Sequence, residues 1–236
     1  MEQLAVLQFQ SGSDFEANLE TVIRLFGQTE AQIVLAPEVC LSGFCYDRMD
    51  EADRFGREAL KKLQAVVGER VLVLTVIEKR DDGFYNVAKV LHNGSVVHEQ
   101  AKHKLFLLGD EHRFFQSGPQ HDIKPFEVLG IKVAILICFE LRFPELWQQA
   151  EGAEVIMVPA MWGKNRAAHL AILSRGLAVA DRAFVMVSDS ANADMAKESG
   201  IITPWGVRHA DNGSETITAS FDRREIKKIK RAIPYE

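Results

Sequence analysis

Three short segments of this chain carry side chains that could share one reaction. In residues 133–147, Val-Ala-Ile-Leu-Ile-Cys-Phe-Glu-Leu-Arg-Phe-Pro-Glu-Leu-Trp, an apolar strand runs straight into Cys138 and a helix is predicted at once. That order puts the thiol on a strand-to-helix turn at the carboxyl edge of a sheet. There the unpaired N–H groups and positive dipole end of the next helix favour a thiolate. Leu35-Ala-Pro-Glu38 is another apolar strand, ending in an acid, and Ala101-Lys-His-Lys-Leu-Phe106 is a basic cluster between apolar runs. Together they offer a nucleophile, a proton acceptor and a positive charge. The nucleophile needs both partners, because a free thiol with a pKa of about 8.5 is only a few per cent ionised near neutrality.

Further pieces stand in order around these three: Ser42-Gly43-Phe44 after Glu38, Glu111-His-Arg-Phe-Phe-Gln-Ser-Gly118 after Lys102, the run Ile-Cys-Phe-Glu-Leu-Arg-Phe-Pro-Glu-Leu around Cys138, and Ile-Ile-Thr-Pro-Trp-Gly206. With these the chain resembles the nitrilase superfamily, the carbon-nitrogen hydrolases with a Glu-Lys-Cys triad, over nearly its whole length. The resemblance implies that Cys138 is the nucleophile and that Glu38 is the general base, which also activates water against the thioester. Lys102 then stabilises the oxyanion together with the backbone N–H of Phe139, and Glu111 is a second glutamate that orients Lys102 and the substrate amide. If position 102 points inward, strand alternation points Lys104 inward as well, so spacing leaves the two lysines unresolved; alignment with the family's lysine selects Lys102. Phe44 and Trp162 fall where the family builds pocket walls. Arg142 or Arg166 are candidates to hold a distal carboxylate of the substrate. Cys40 and Cys45 read as packing residues, and His169 and Arg175 as packing or oligomer contacts. Ala180 in Ala178-Val-Ala-Asp-Arg182 departs from the acid that is frequent there, which bears on the pocket's support and on the subfamily. His112 has no second histidine at zinc spacing, and the resemblance implies neither metal nor cofactor.

The elements that must position these groups are legible as a pattern. Apolar runs at 4–9, 33–36, 71–77, 133–139, 155–158 and 184–187 are short and rich in β-branched residues, as buried strands are. Between them, segment 14–26 aligns Phe15, Leu19, Val22, Ile23 and Phe26 on one helical face behind a capping Ser13 or Asp14. Segments 50–67, 144–150 and 166–182 are predicted helices of the same kind. His92-Asn-Gly94 between alternating runs predicts a type I′ hairpin, 215–221 alternates again, and Ile226 and Ile229 mark a terminal amphipathic helix. Periodicity alone predicts a layered α/β fold with a mixed sheet; the resemblance implies a four-layer α-β-β-α sandwich.

Composition bounds the rest. With 236 residues and 47% hydrophobic content, residues 1–236 read as one carbon-nitrogen hydrolase domain. A formal net charge of -5 argues against nucleic-acid and anionic-membrane partners. Three cysteines without a C-x-x-C pair describe no disulfide scaffold or zinc site. There is no signal-peptide pattern at the N-terminus and no apolar run of about 18 residues, so a cytoplasmic location is expected.

The reading that results is a thiol amidohydrolase acting on a small aliphatic or ω-amide through a cysteine acyl-enzyme. N-carbamoyl amide and nitrile hydrolysis are alternatives on the same triad, and a catalytically silent sensor or scaffold is the alternative from a different class. A homodimer or larger homo-oligomer is implied by the resemblance.

Overall fold

The computed structural model describes residues 2–234. Two six-stranded mixed sheets pack face to face. Sheet one has the order β12-β1-β2-β3-β4-β5, with β1 (Glu2–Leu7), β2 (Ile33–Leu35), β3 (Val71–Arg80), β4 (Gly83–His92), β5 (Ser95–Ala101) and β12 (Thr216–Phe221). Sheet two has the order β11-β10-β9-β8-β7-β6, with β6 (Phe126–Val128), β7 (Ile131–Ile135), β8 (Val155–Ala160), β9 (Phe184–Asp189), β10 (Gly200–Ile202) and β11 (Arg208–His209). Within sheet one β1, β2 and β3 are parallel, and within sheet two β7, β8 and β9 are parallel; the remaining pairs are antiparallel.

Strand alternation sorts the side chains of sheet one. Leu4, Val6, Ile33, Leu35, Val71 and Val73 enter the core between the sheets. Their neighbours Ala5, Leu7, Val34, Leu72 and Leu74 meet α1 (Phe15–Gln28) and α2 (Met49–Val67) through Leu19, Val22, Phe26, Ala59 and Leu63. On the far side, α4 (Pro144–Ala150) and α5 (Ala167–Ala180) contribute Leu146, Leu170 and Leu177 to the sheet-two core. The layers are therefore α-β-β-α. Among the described residues no helix is long and apolar enough to cross a membrane.

The predicted elements recur with small shifts. Asp14 caps α1 by accepting from the Ala17 N–H at 3.1 Å. Asn93 and Gly94 both have positive φ, +48° and +72°, as a type I′ turn demands, and α6 (Arg223–Ala232) buries Ile226 and Ile229. One difference matters for the chemistry. Regular pairing in β7 stops at Ile135, and Cys138–Arg142 forms a 3-10 turn, so the next α-helix begins only at Pro144.

The two sheets are stitched together by hydrogen bonds at the carboxyl ends of their strands. The Ser188 hydroxyl donates to the Leu7 carbonyl at 2.6 Å, the Gln100 amide to the Ile135 carbonyl at 3.1 Å, and the Glu38 N–H to the Ala160 carbonyl at 3.2 Å. Edge strands β5 and β6 also meet where His98 stacks on Phe126, with ring centroids 3.7 Å apart and an interplanar angle of 11°.

Nε2 of His98 is buried without a hydrogen-bond partner. Burial holds its imidazole below the ordinary value, with Lys124 acting in the same sense and Asp122 and Glu99 opposing. Because the folded pKa lies below the unfolded one, the stability gained from the neutral ring is present above about pH 6.5 and is lost as pH falls. In urea titrations His98→Phe, which keeps the stack, is therefore expected to gain stability relative to wild type between pH 7.5 and 5.5; an offset equal at both pH values would refute the assignment.

Candidate active site

The segment after β2 turns sharply past Glu38. Val39 takes a φ of +41°, strained for a β-branched residue, and its N–H is caught by the Thr75 hydroxyl oxygen at 2.6 Å. Glu38 is left fully buried at the end of the parallel strands. From β4, the Asn86 amide donates to Glu38 Oε1 at 2.8 Å, while Glu38 Oε2 is buried without a partner.

Lys102 follows the last residue of β5. Its N–H donates to the Asn86 carbonyl and its own carbonyl accepts from the Gly118 N–H, each at 2.8 Å. Gly118 is required for that approach, because a Cβ there would collide with the Ala101 carbonyl oxygen. The Lys102 ammonium, wholly buried, donates to Glu38 Oε1 at 2.7 Å and to Glu111 Oε1 at 2.8 Å. Glu111 Oε2 accepts from the Phe106 N–H at 3.0 Å. Burial alone would lower the lysine's pKa; Glu38 and then Glu111 more than reverse this and hold it above its ordinary value. Glu111 is raised by burial, with Lys102 pulling down and Glu38 pushing up.

Cys138 sits where the chain leaves sheet two, with a φ of +48° and 7% exposure. Burial and then the charge of Glu38 push its thiol well above the ordinary range, against the pull of Lys102 and of a hydrogen bond from the Met161 backbone. The thiolate expected from a following helix end is not favoured at rest. A 3-10 turn of five residues stands in place of that helix end.

A narrow pocket opens over Cys138, lined by Phe106, Phe139, Met161, Trp162, Arg142 and Arg166, with about 20 Å³ of free space. It leads into a wide mouth of about 880 Å³ that shares Phe106, Phe139 and both arginines. Arg142 lies over the Trp162 ring, 4.7 Å from its centroid, and bonds His169 at 3.1 Å. Arg166 lies 4.9 Å from the centroid of Phe106. Neither guanidinium has a carboxylate partner among the described residues. Burial and then the like charge of Arg166 lower the pKa of Arg142.

The residues expected from the sequence thus divide. Glu38, Lys102, Glu111 and Cys138 converge, and Phe139 and Trp162 line the pocket. Phe44 does not line it: it joins Tyr46 and Phe115 in an aromatic cluster, with its ring centroid 5.9 Å from Lys102 Nζ. Lys104 does not point inward. Strand geometry ends at Ala101, so alternation no longer applies, and Lys104 reaches Glu145 at 3.5 Å near the mouth. Arg113, two residues after Glu111, pairs with Asp110. Cys40 is fully buried, its thiol pushed up to about 12 by burial. His169 lines the mouth, and Arg175 bonds the Gly206 carbonyl at 3.2 Å.

Three polar residues were not anticipated. Asn86 holds Glu38. Asp189, raised by burial to about 7, fixes the pocket wall by accepting from the Trp162 N–H at 2.8 Å. Glu140, also raised by burial to about 7, lies buried two residues after Cys138. An acid two residues after Cys138, within the turn Cys138–Arg142, was the sequence signal for Glu140; Asn86 and Asp189 had none.

The fold and the residues it gathers define a nitrilase-type α/β sandwich hydrolase. The carbon-nitrogen hydrolase family model matches residues 3–231, and the chain belongs to that family as a hydrolase of carbon–nitrogen bonds other than peptide bonds. It is 30% identical to 2-oxoglutaramate amidase of Bacillus subtilis, over 86% of this chain and 83% of that protein. It is 28% identical to omega-amidase NIT2 of Xenopus tropicalis, over 98% and 92%. The fold matches a CN-hydrolase superfamily protein of Xanthomonas campestris with an arsenic adduct in its active site at a TM-score of 0.85 and 18% identity, over 99% of this chain and 95% of that one.

A buried ammonium between two carboxylates also sets a stability test. Removing one partner of a buried ion pair strands the other charge, at a cost of about 3–5 kcal/mol. Lys102→Met should show that loss in urea at neutral pH, whereas Lys104→Ala should stay within about 0.5 kcal/mol of wild type.

Proposed function

We propose that this enzyme hydrolyses small ω-amides carrying a distal carboxylate, through a Cys138 thioester. The observation that carries the reading is a division of charge: Cys138, in the field of Lys102 and two carboxylates, shares its pocket lining with two arginines that have no carboxylate partner among the described residues. In the first step the Cys138 proton passes to Glu38, whose Oε2 is unpartnered, as Sγ attacks the amide carbon. The carbonyl electrons move onto oxygen, where the Lys102 ammonium and the Phe139 N–H stabilise them. Losing one such donor typically costs about 100- to 1000-fold in rate. Collapse of the intermediate breaks the C–N bond and expels ammonia, whose nitrogen takes the proton from Glu38, and leaves the thioester. Glu38 then removes a proton from water as the water attacks, and the thiol and the free acid are released. Glu111 orients Lys102 throughout.

The small space over Cys138 suits a primary amide, and the mouth accommodates the rest of the substrate. Arg142 and Arg166 favour an anionic tail over an alkyl one, and the names of the two amidase relatives are consistent with that choice. Cys138→Ala should abolish turnover while Cys40→Ala and Cys45→Ala retain it. In an ammonia-release panel of ω-amides, uncharged aliphatic amides, carbamoyl compounds and nitriles, the ω-amides should lead in kcat/KM. Arg142→Ala or Arg166→Ala should cost them about tenfold, or ~1.4 kcal/mol of transition-state binding, with little effect on the uncharged amides. A carbamoyl compound or nitrile leading by tenfold would overturn the substrate class and leave the Cys138 chemistry standing.

A homodimer is proposed as well. Ile172 and Val179, seven residues apart on one face of α5, are 67% and 47% exposed, and Trp205 and Val207, which flank Gly206 next to Val179, are 47% and 55% exposed. Sedimentation should show at least a dimer, and Ile172→Glu should shift it towards monomer.

A further inference from the structure

Glu140 lies between the two segments that present the nucleophile and the lysine. Its side chain is fully buried, and no lysine, arginine or histidine side chain forms an ion pair with it among the described residues. Its contacts are backbone donors instead. Oε2 accepts from the Ile137 N–H at 2.6 Å, and Oε1 accepts from the His103 N–H at 2.6 Å and the Lys104 N–H at 3.4 Å. Ile137 directly precedes Cys138 and His103 directly follows Lys102. Each oxygen therefore grips the peptide next to one of the reacting side chains, across the gap between sheet two and sheet one.

Both grips fall where regular structure has ended. β5 stops at Ala101 and β7 at Ile135; Lys102 still bonds Asn86 and Gly118 and Leu136 still bonds Met157, but no strand pairing reaches residues 103–104 or 137–138. Cys138 also holds a positive φ, a conformation that persists only where its surroundings impose it. Burying a carboxylate without a cation is costly, and such a group is tolerated when several N–H donors converge on it.

We propose that Glu140 is a positioning residue that sets the distance between Cys138 Sγ and the Lys102 ammonium by bridging their backbones. The proposal rests on the roles assigned above to Cys138 and Lys102. A carboxylate suits the task because both of its oxygens only accept. Glutamine has the same shape but would turn one amide N–H towards a backbone N–H, releasing one of the two segments.

The test compares Glu140→Gln and Glu140→Asp with wild type at pH 8.5, above the value of about 7 to which burial raises the carboxyl. Rates are expressed per active site titrated with iodoacetamide. Glu140→Gln keeps the volume and relieves a buried charge, so its thermal midpoint should equal or exceed that of Glu140→Asp. Its kcat should nevertheless fall by about 100-fold with KM within about threefold, and Cys138 alkylation should slow in parallel, whereas Glu140→Asp, retaining two acceptors on a shorter arm, should lose about tenfold. This crossing of the activity and stability orders is not expected of a merely structural carboxylate. A kcat for Glu140→Gln within threefold of wild type would overturn the proposal; if that variant does not fold, a kcat for Glu140→Asp within threefold would do so. Cys138→Ala measured alongside separates the two readings: activity surviving there refutes the thioester mechanism, while full activity confined to the Glu140 variants refutes only the bridge.

Discussion

The organisation of the site depends on one interaction, the burial of the Lys102 ammonium between Glu38 and Glu111. Taking an ammonium out of water costs several kcal/mol even after relaxation, and the cost is met only if its partners are close and are themselves hydrogen-bonded. Asn86 and the Phe106 N–H supply those further bonds. Two carboxylates beside one ammonium still leave an excess negative charge. Burial raises Glu111 against the pull of Lys102, while burial and then the charge of Glu38 keep Cys138 a thiol at rest. The ion cluster therefore does not hold a ready thiolate: it sets a thiol in the field of Glu38, one of whose oxygens has no hydrogen-bond partner, and of a fixed cation, which in the proposed mechanism meets the charge that develops during attack.

Charge is sorted along the channel in a way the overall balance of -5 conceals. The buried ion cluster sets two carboxylates against one ammonium, while Lys104, Arg142 and Arg166 make the mouth cationic. Neither arginine is neutralised by an acid among the described residues. Aromatic rings under both, and His169 beside Arg142, hold them in place without cancelling their charge. An anionic tail docked at the rim would leave only a small neutral group to enter the narrow space over Cys138, which ties substrate orientation to electrostatics as much as to shape.

The sequence was most legible where physics is local. Apolar runs, the Asp14 cap, the Asn93-Gly94 turn and the amphipathic α6 all depend on a few adjacent residues, and all formed close to where they were expected. The order of motifs around Glu38, Lys102, Glu111 and Cys138 was sufficient to indicate the family, and the structure brings those side chains together. Inference failed where an element ended sooner than its pattern. Period-two reasoning carried Lys104 inward past the true end of β5, and the apolar run through Ile137 implied an immediate helix dipole that a 3-10 turn replaces.

What the sequence determined by itself was the inventory and its order: which segments pair or coil, and which reactive side chains stand at their ends. What only the tertiary structure decided was the company those side chains keep. Glu38 and Lys102 lie 64 residues apart and Lys102 meets Cys138 from the opposite sheet, so their distances, and the pKa shifts of Lys102 and Cys138, arise from packing one sheet on the other. The same holds for Asn86, Glu140, Asp189 and the two arginines, whose neighbours come from distant parts of the chain. Desolvation and Coulomb energy depend on separation in space, and a pattern of residues encodes that separation only through the fold it forms.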